Sequence, residues 1–318
     1  MPTIKPSALL LVTLCSAGIA CGSGGTDESS SNGSFTIQTP SVKILAGEEI
    51  SYCYYFRTRN TEIIAVKQWA SQMSPYAKDL TLFLTPTNVK PPGTQTSNGC
   101  GVSGLTAPAL TYIARHSSDA FSFPPDDGTG KPVGQFLPKD QPAFLRVHYV
   151  NPTGSDVTVH AELTVNAYKT TDVTRADPFV TYNTNINVPA LSTATATASC
   201  GVPVNARFFA MTMYTHKFAT SVAITDGAPA IYASSDPTLL DVDHFGLPFF
   251  TLGTGKLTYT CDYTNPTNQT IGTGDGPSDE QCVAVAWFIP STGSKLCINS
   301  VVVNSQVALE GKGLRTEN

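Results

Sequence analysis

Phe144-Leu145-Arg146-Val147-His148-Tyr149-Val150 reads as a β strand, and the Asn151-Pro152 that follows ends it. Leu145, Val147 and Tyr149 alternate with Arg146 and His148, the period of two expected when a strand's faces differ. Proline has no N–H for a ladder and asparagine favours turns. Segments of the same kind recur at 35–45, 50–57, 80–84 and 157–165, with Gly, Pro, Asn and Asp between them, and this spacing predicts a β-sandwich. A second set follows at 194–200, 207–224, 230–233, 257–263 and 282–289. Amphipathic helical periodicity is missing apart from a short turn around Trp69 to Tyr76. The expected fold class is all-β: two tandem antiparallel β-sandwich domains, jelly-roll-like and disulfide-stapled. The polar run 169–178 is the expected linker between an N-terminal domain, 35–168, and a C-terminal domain, 179–308. Residues 309–318 read as a polar tail.

The N-terminus carries one positive charge, Lys5, followed by an apolar stretch from Ser7 to Ala20, too short to span a bilayer and suited to a secretory signal. Gly18-Ile19-Ala20-Cys21 resembles a bacterial lipobox with glycine where leucine is usual, which makes Cys21 the expected lipidation site and 1–21 a lipoprotein-type signal peptide. Residues 22–34, rich in Gly and Ser, read as a flexible tether, which favours anchoring over simple secretion. The expected location is the bacterial cell envelope, at the outer membrane or cell surface, with the membrane contacted only through the lipid anchor. Charged residues are 14% of the 318-residue chain and the net charge is −5, without a basic run, so no nucleic-acid partner is expected. Neither a P-loop nor a dinucleotide-binding glycine fingerprint occurs.

Of eight cysteines, Cys15 and Cys21 belong to the export segment, leaving Cys53, Cys100, Cys200, Cys261, Cys282 and Cys297. In an exported chain these suggest three disulfides, and spacing alone leaves fifteen pairings open. None has the C-x-x-C spacing of a zinc or redox site.

Three segments resemble the copper type II, ascorbate-dependent monooxygenases, the family of peptidylglycine α-hydroxylating monooxygenase and dopamine β-monooxygenase. Leu145 to Pro152 is similar to the family's L-x-V/I-H-Y-x-N-P strand, whose histidine completes a three-histidine copper site. Met213-Tyr214-Thr215-His216-Lys217 stands at the place of its H-T-H strand. Cys261-Asp262-Tyr263-Thr264-Asn265, then Gly272-Thr273-Gly274 and Asp279-Glu280-Gln281-Cys282, resembles its C-x-(Y/F)-x-N…G-x-G…D/S-E-M-C segment. The resemblance implies the pairings Cys53–Cys100, Cys200–Cys297 and Cys261–Cys282, each worth about 3 to 4 kcal/mol. It also implies two coppers, ascorbate as reductant, and His148, His216, Tyr214 and Gln281 as the candidate metal positions.

The departures bear on that chemistry. Gln281 replaces the thioether that favours Cu(I), Tyr214 replaces the first histidine of H-T-H, and Lys78 and Asp79 fall where the family has adjacent histidines. Thr212 replaces the arginine that pairs with a peptide carboxylate, which disfavours amidation substrates. A reshaped site could draw on His216, Tyr214 and His244 or Gln281. The expected function is therefore a non-catalytic binding or interaction role for a small-molecule or protein ligand. The alternatives are a copper-dependent, ascorbate-driven monooxygenase acting on a small organic substrate, and a single-site copper-binding lipoprotein.

Overall fold

The strand Pro142–Val150 is the centre of a five-stranded sheet. Glu49–Arg57 and Ala77–Leu84 flank it antiparallel, with Gln95–Thr96 and Ala109–Ala114 outside them. The computed structural model describes residues 33–100, 109–227, 229–237, 240–276 and 278–303, all within one compact unit. Leu145, Val147 and Tyr149 are buried on one face of the central strand. Arg146 and His148 stand on the other, directly opposite Thr81 and Asp79 of the neighbouring strand. A second sheet completes the first sandwich, ordered Phe35–Gln38, Ala161–Ala167, Ile64–Met73, Val133–Leu137 and Thr174–Arg175, with Ser118–Ser122 also paired to Ile64–Met73.

The second half repeats the two-sheet plan. One sheet runs Asp243–His244, Arg207–Thr215, Cys282–Ile289, Asp177–Tyr182, Lys295–Ile298 and Val301–Val303; the other runs Thr193–Gly201, Lys256–Thr264, Ala219–Thr225 and Ala230–Ser234. The ladders are antiparallel except that Thr174–Arg175 pairs parallel with Val133–Leu137 and Asp177–Tyr182 parallel with Lys295–Ile298. Among the described residues there is no helix.

Every residue of Cys282–Ile289 is buried, because the strand is covered on both faces. Cys282, Ala284, Ala286 and Phe288 belong to the core of the second sandwich. Val283, Val285, Trp287 and Ile289 instead join the core that includes the first. This shared apolar layer, with Trp287 4.3 Å from Phe121 between ring centroids, joins the two sandwiches. The three disulfides form as Cys53–Cys100, Cys200–Cys297 and Cys261–Cys282, the pairing the resemblance implies.

Two local expectations change. Trp69 to Met73 lies in the strand Ile64–Met73 instead of a turn: Trp69, Ser71 and Met73 are buried at a spacing of two, and only Ser74 to Ala77 turns. The later part of the polar run 169–178 is built into both sheets, since Thr174 and Arg175 extend the first half and Asp177 opens a strand of the second, while 169–172 stay exposed outside the strands. Buried Asp177 accepts from Arg175 Nε at 2.7 Å and Ser291 Oγ at 2.9 Å, so these two charges of the run pair with each other, while Asp172 pairs with Lys131 at the surface. Ser34, at the end of the expected tether, accepts the Ala167 N–H on Oγ at 3.0 Å. The signal segment with Cys21, tether residues 22–32 and the tail 309–318 lie outside the described residues.

Candidate functional site at the junction of the two sandwiches

Alternation places polar groups at the junction from both sides. From the first sandwich come Arg146 and His148 on one strand, Asp79 and Thr81 on the next, and Glu49 on the third. From the second come Tyr214, paired opposite Val283, then His216 two residues on, and Tyr182 and Gln281. A cavity of about 70 Å³ lies between the two sheets, with Arg146, Thr81, Tyr214 and Gln281 among its lining. Tyr182, Leu296 and Ile298 line it at half-buried positions.

The two histidines that the resemblance singles out have different surroundings. The ring of His148 sits between two acids, Nε2 at 3.3 Å from Glu49 Oε1 and Nδ1 at 3.5 Å from Asp79 Oδ2. Burial pushes the Asp79 carboxyl up, but its bond to His148 and the charge of Arg146 outweigh this and hold it below the usual carboxylate range. Lys217 Nζ approaches Glu49 at 3.9 Å from the second half.

His216 has its Nδ1 2.9 Å from the Asp279 carbonyl. Desolvation, reinforced by the positive charge of Arg146, lowers it to about 4, so the ring is neutral at pH 7. A neutral ring bonded to a carbonyl carries its hydrogen on Nδ1, which leaves the buried Nε2 as an acceptor without a hydrogen-bond partner.

Glu280, fully buried, fixes this end of the strand. Its carboxylate accepts the backbone N–H of His216 at 3.1 Å, of Phe218 at 2.6 Å and of Gln281 at 3.3 Å. Burial pushes the carboxyl up to about 7 against the pull of these donors. Gly274 has a steric role, since a Cβ there would collide with the Asp279 carboxylate. Gln281 Nε2 donates to Gly274 O at 3.1 Å and Asp275 Oδ1 at 2.8 Å, tying the loop together. Tyr214 is pushed up to about 12 by burial and the nearby Asp79, so its hydroxyl stays protonated, and the Arg115 guanidinium lies 5.0 Å from its ring.

These donors do not fit the family's two coppers. At the electron-storing place one imidazole faces carboxylates, and Lys78 is exposed. At the oxygen-binding place His216 is the one imidazole, and the amide of Gln281 is committed to the loop. Among the described residues no group of three or more His, Cys, Asp or Glu side chains is arranged to hold a metal ion. His244 stacks on Phe121 and lines a separate cavity of about 250 Å³ with His116 and Asp241, so it does not join His216 and Tyr214. Arg146 was absent from the site read out of the sequence. The signal available was an arginine alternating with large apolar residues on a strand, on the same face as His148.

No family model and no curated protein matches this chain. Solved structures similar to it include PNGase F, a glycosylasparaginase from Flavobacterium meningosepticum, at 10% identity and TM-score 0.37, covering 85% of this chain and 98% of that one. The major capsid protein P2 from Bacteriophage PM2 is similar at 8% identity and TM-score 0.31, covering 80% and 97%. Cowpea mosaic virus top component is similar at 8% identity and TM-score 0.29, covering 79% and 88%.

Proposed function

We propose that this chain is an exported envelope protein with a non-catalytic binding role, built on a scaffold of the copper type II monooxygenase kind and using the junction between its sandwiches to recognise a ligand. One observation supports the reading: the histidines that the resemblance sets at copper positions are engaged by protein groups, His148 by Glu49 and Asp79 and His216 by the Asp279 carbonyl, and among the described residues no group of three or more His, Cys, Asp or Glu surrounds either. Removing most ligands from a site removes most of its coordination free energy and its redox tuning. Loading the purified full-length chain with copper and exchanging it against a mild chelator tests the reading. Less than one copper retained per chain, and no ascorbate-dependent oxygen uptake, is the expected result. Two tightly held coppers, or ascorbate-driven oxygen consumption, would establish the monooxygenase alternative instead.

A second reading, a single-site copper-binding lipoprotein, is favoured by one atom, the buried and unpartnered Nε2 of His216. If one copper is retained and His216→Ala loses it, that reading replaces the first. Both share lipid anchoring through Cys21, which rests on the lipobox-like sequence and the tether behind it. Cys21→Ser is expected to move the chain from the membrane fraction to the soluble fraction, and continued membrane association would count against the anchor.

A further inference from the structure

Arg146 is a buried charge at the junction. It is 4% exposed, and its Nε has no hydrogen-bond partner. The nearby acids are occupied elsewhere: Asp79 turns Oδ2 to His148, and Asp275 Oδ1 takes the amide of Gln281. Desolvation works against the guanidinium's charge, but Tyr214, Asp79, Asp275 and Tyr182 outweigh it and push its pKa up, while Nε is still left without an acceptor. A buried N–H in this condition is costly until an acceptor meets it.

The space beside it suits an anion of a particular kind. Phe83, Leu110, Val180 and Val283 give the cavity a mostly apolar wall, and Arg146 is its one cationic lining residue. One positive charge matches a monoanion, and the planar guanidinium matches the two oxygens of a carboxylate. At about 70 Å³ the cavity is roughly half the size of the ~150 Å³ cavity known to admit benzene, which limits the apolar part to a few carbons.

We propose that this cavity binds a short-chain monocarboxylate, its carboxylate paired with the Arg146 guanidinium and its alkyl end against Phe83, Leu110 and Val283. The inference rests on the binding role proposed above and names the ligand class for the same junction. The carboxylate supplies the missing acceptors, and the alkyl end fills space that water would occupy poorly. Formation of the pair changes no covalent bond, so no co-reactant is needed.

The test is titration of the full-length, copper-free chain with propionate in chloride-free buffer, followed by calorimetry and thermal unfolding. Propionate is expected to bind saturably and raise the melting temperature, and propionamide, which lacks the charge, is expected to do neither. Arg146→Gln should weaken propionate binding at least tenfold, read on a variant whose cooperative urea unfolding shows that it is folded. Leu296→Trp, which narrows the cavity at a half-buried position without touching the arginine, should also weaken binding, and it decides the matter if Arg146→Gln does not fold. No saturable binding of propionate, equal binding of propionamide, or chloride or phosphate binding as tightly as propionate would overturn the proposal. Copper retention and oxygen uptake, measured without any acid present, read the broader binding role separately. A failed propionate titration on a protein that holds no copper therefore removes the ligand class alone.

Discussion

The two halves of the molecule share one turn and differ at their histidines. In the first, Asn151 follows the strand Pro142–Val150; its Nδ2 donates to Leu45 O and Ser155 O, and its Oδ1 accepts from the N–H and hydroxyl of Thr153. In the second, Asn265 follows Lys256–Thr264; its Nδ2 donates to Pro189 O and Gln269 O, and its Oδ1 accepts from the N–H and hydroxyl of Thr267. Asn-Pro-Thr is thus the same device twice, a buried amide that satisfies carbonyls from an incoming loop while its oxygen forms an Asx turn. The histidines show no such agreement: His148 lies between two carboxylates, and His216 is neutral against a carbonyl. A turn that closes a sandwich has one good solution, and both halves use it. Side chains at the junction answer to whatever lies across from them, and they diverge.

The largest expected effect tests the shared half of this comparison. Asn151→Ala and Asn265→Ala each strip a residue that is 1% exposed of its amide and leave part-buried carbonyls without donors, together with a buried one, Ile44 O or Val188 O. Each should cost about 2–4 kcal/mol in urea unfolding with the disulfides intact. The two losses should agree within about 1 kcal/mol, as equivalent sites with the same partners require. A loss at one site with none at the other would mean that the turns look alike but carry different loads.

How much of this was legible in the sequence follows from what each residue faces. Ala161–Ala167 alternates cleanly, and Leu145 to Tyr149 alternates in residue type although Arg146 is buried with its neighbours, so both could be read directly. Ile64–Met73 was obscured by Lys67, Gln68, Ser71 and Gln72: three of these sit at exposed or half-buried positions, while Ser71 is buried and hydrogen-bonds Tyr112 at 2.9 Å. Asp177–Tyr182 begins with a charged residue and a proline, which read as linker because the buried partners of Asp177 are distant in sequence or belong to the same polar run. At the site, the resemblance named His148, Tyr214, His216 and Gln281, of which Tyr214 and Gln281 line the cavity. Arg146 stood inside the quoted motif, but only the ladder, which sets it opposite Thr81, and the second sheet across the cavity show what it faces.

A smaller effect sharpens the divergent half of the comparison, through the linked pair at the end of Arg207–Thr215. Glu280 is held at about 7 in the fold against an ordinary value of 4.5, so the folded chain binds that proton more tightly than the unfolded one. Its contribution, at most about 3 kcal/mol, is fully present below the unfolded value and is lost as pH rises through about 7. His216 works in the opposite sense: lowered from 6.5 to about 4, it favours the fold above 6.5, and that preference is lost as pH falls through about 4. In the wild type the two oppose each other between about pH 4.5 and 6.5. Glu280→Gln leaves the histidine, so its stability should fall on acidification across this window. His216→Gln leaves the carboxyl, so its stability should fall as pH rises. Urea midpoints of the two variants between pH 4.5 and 7.5 therefore diverge in slope, and titrations common to both cancel in the difference. Parallel slopes would show that the backbone N–H groups on Glu280 outweigh its burial, making this corner an ordinary anchored carboxylate. Divergent slopes would mean that His216 is kept neutral beside a carboxyl that itself prefers its proton, whereas the Asp79 carboxyl beside His148 is held below its usual range.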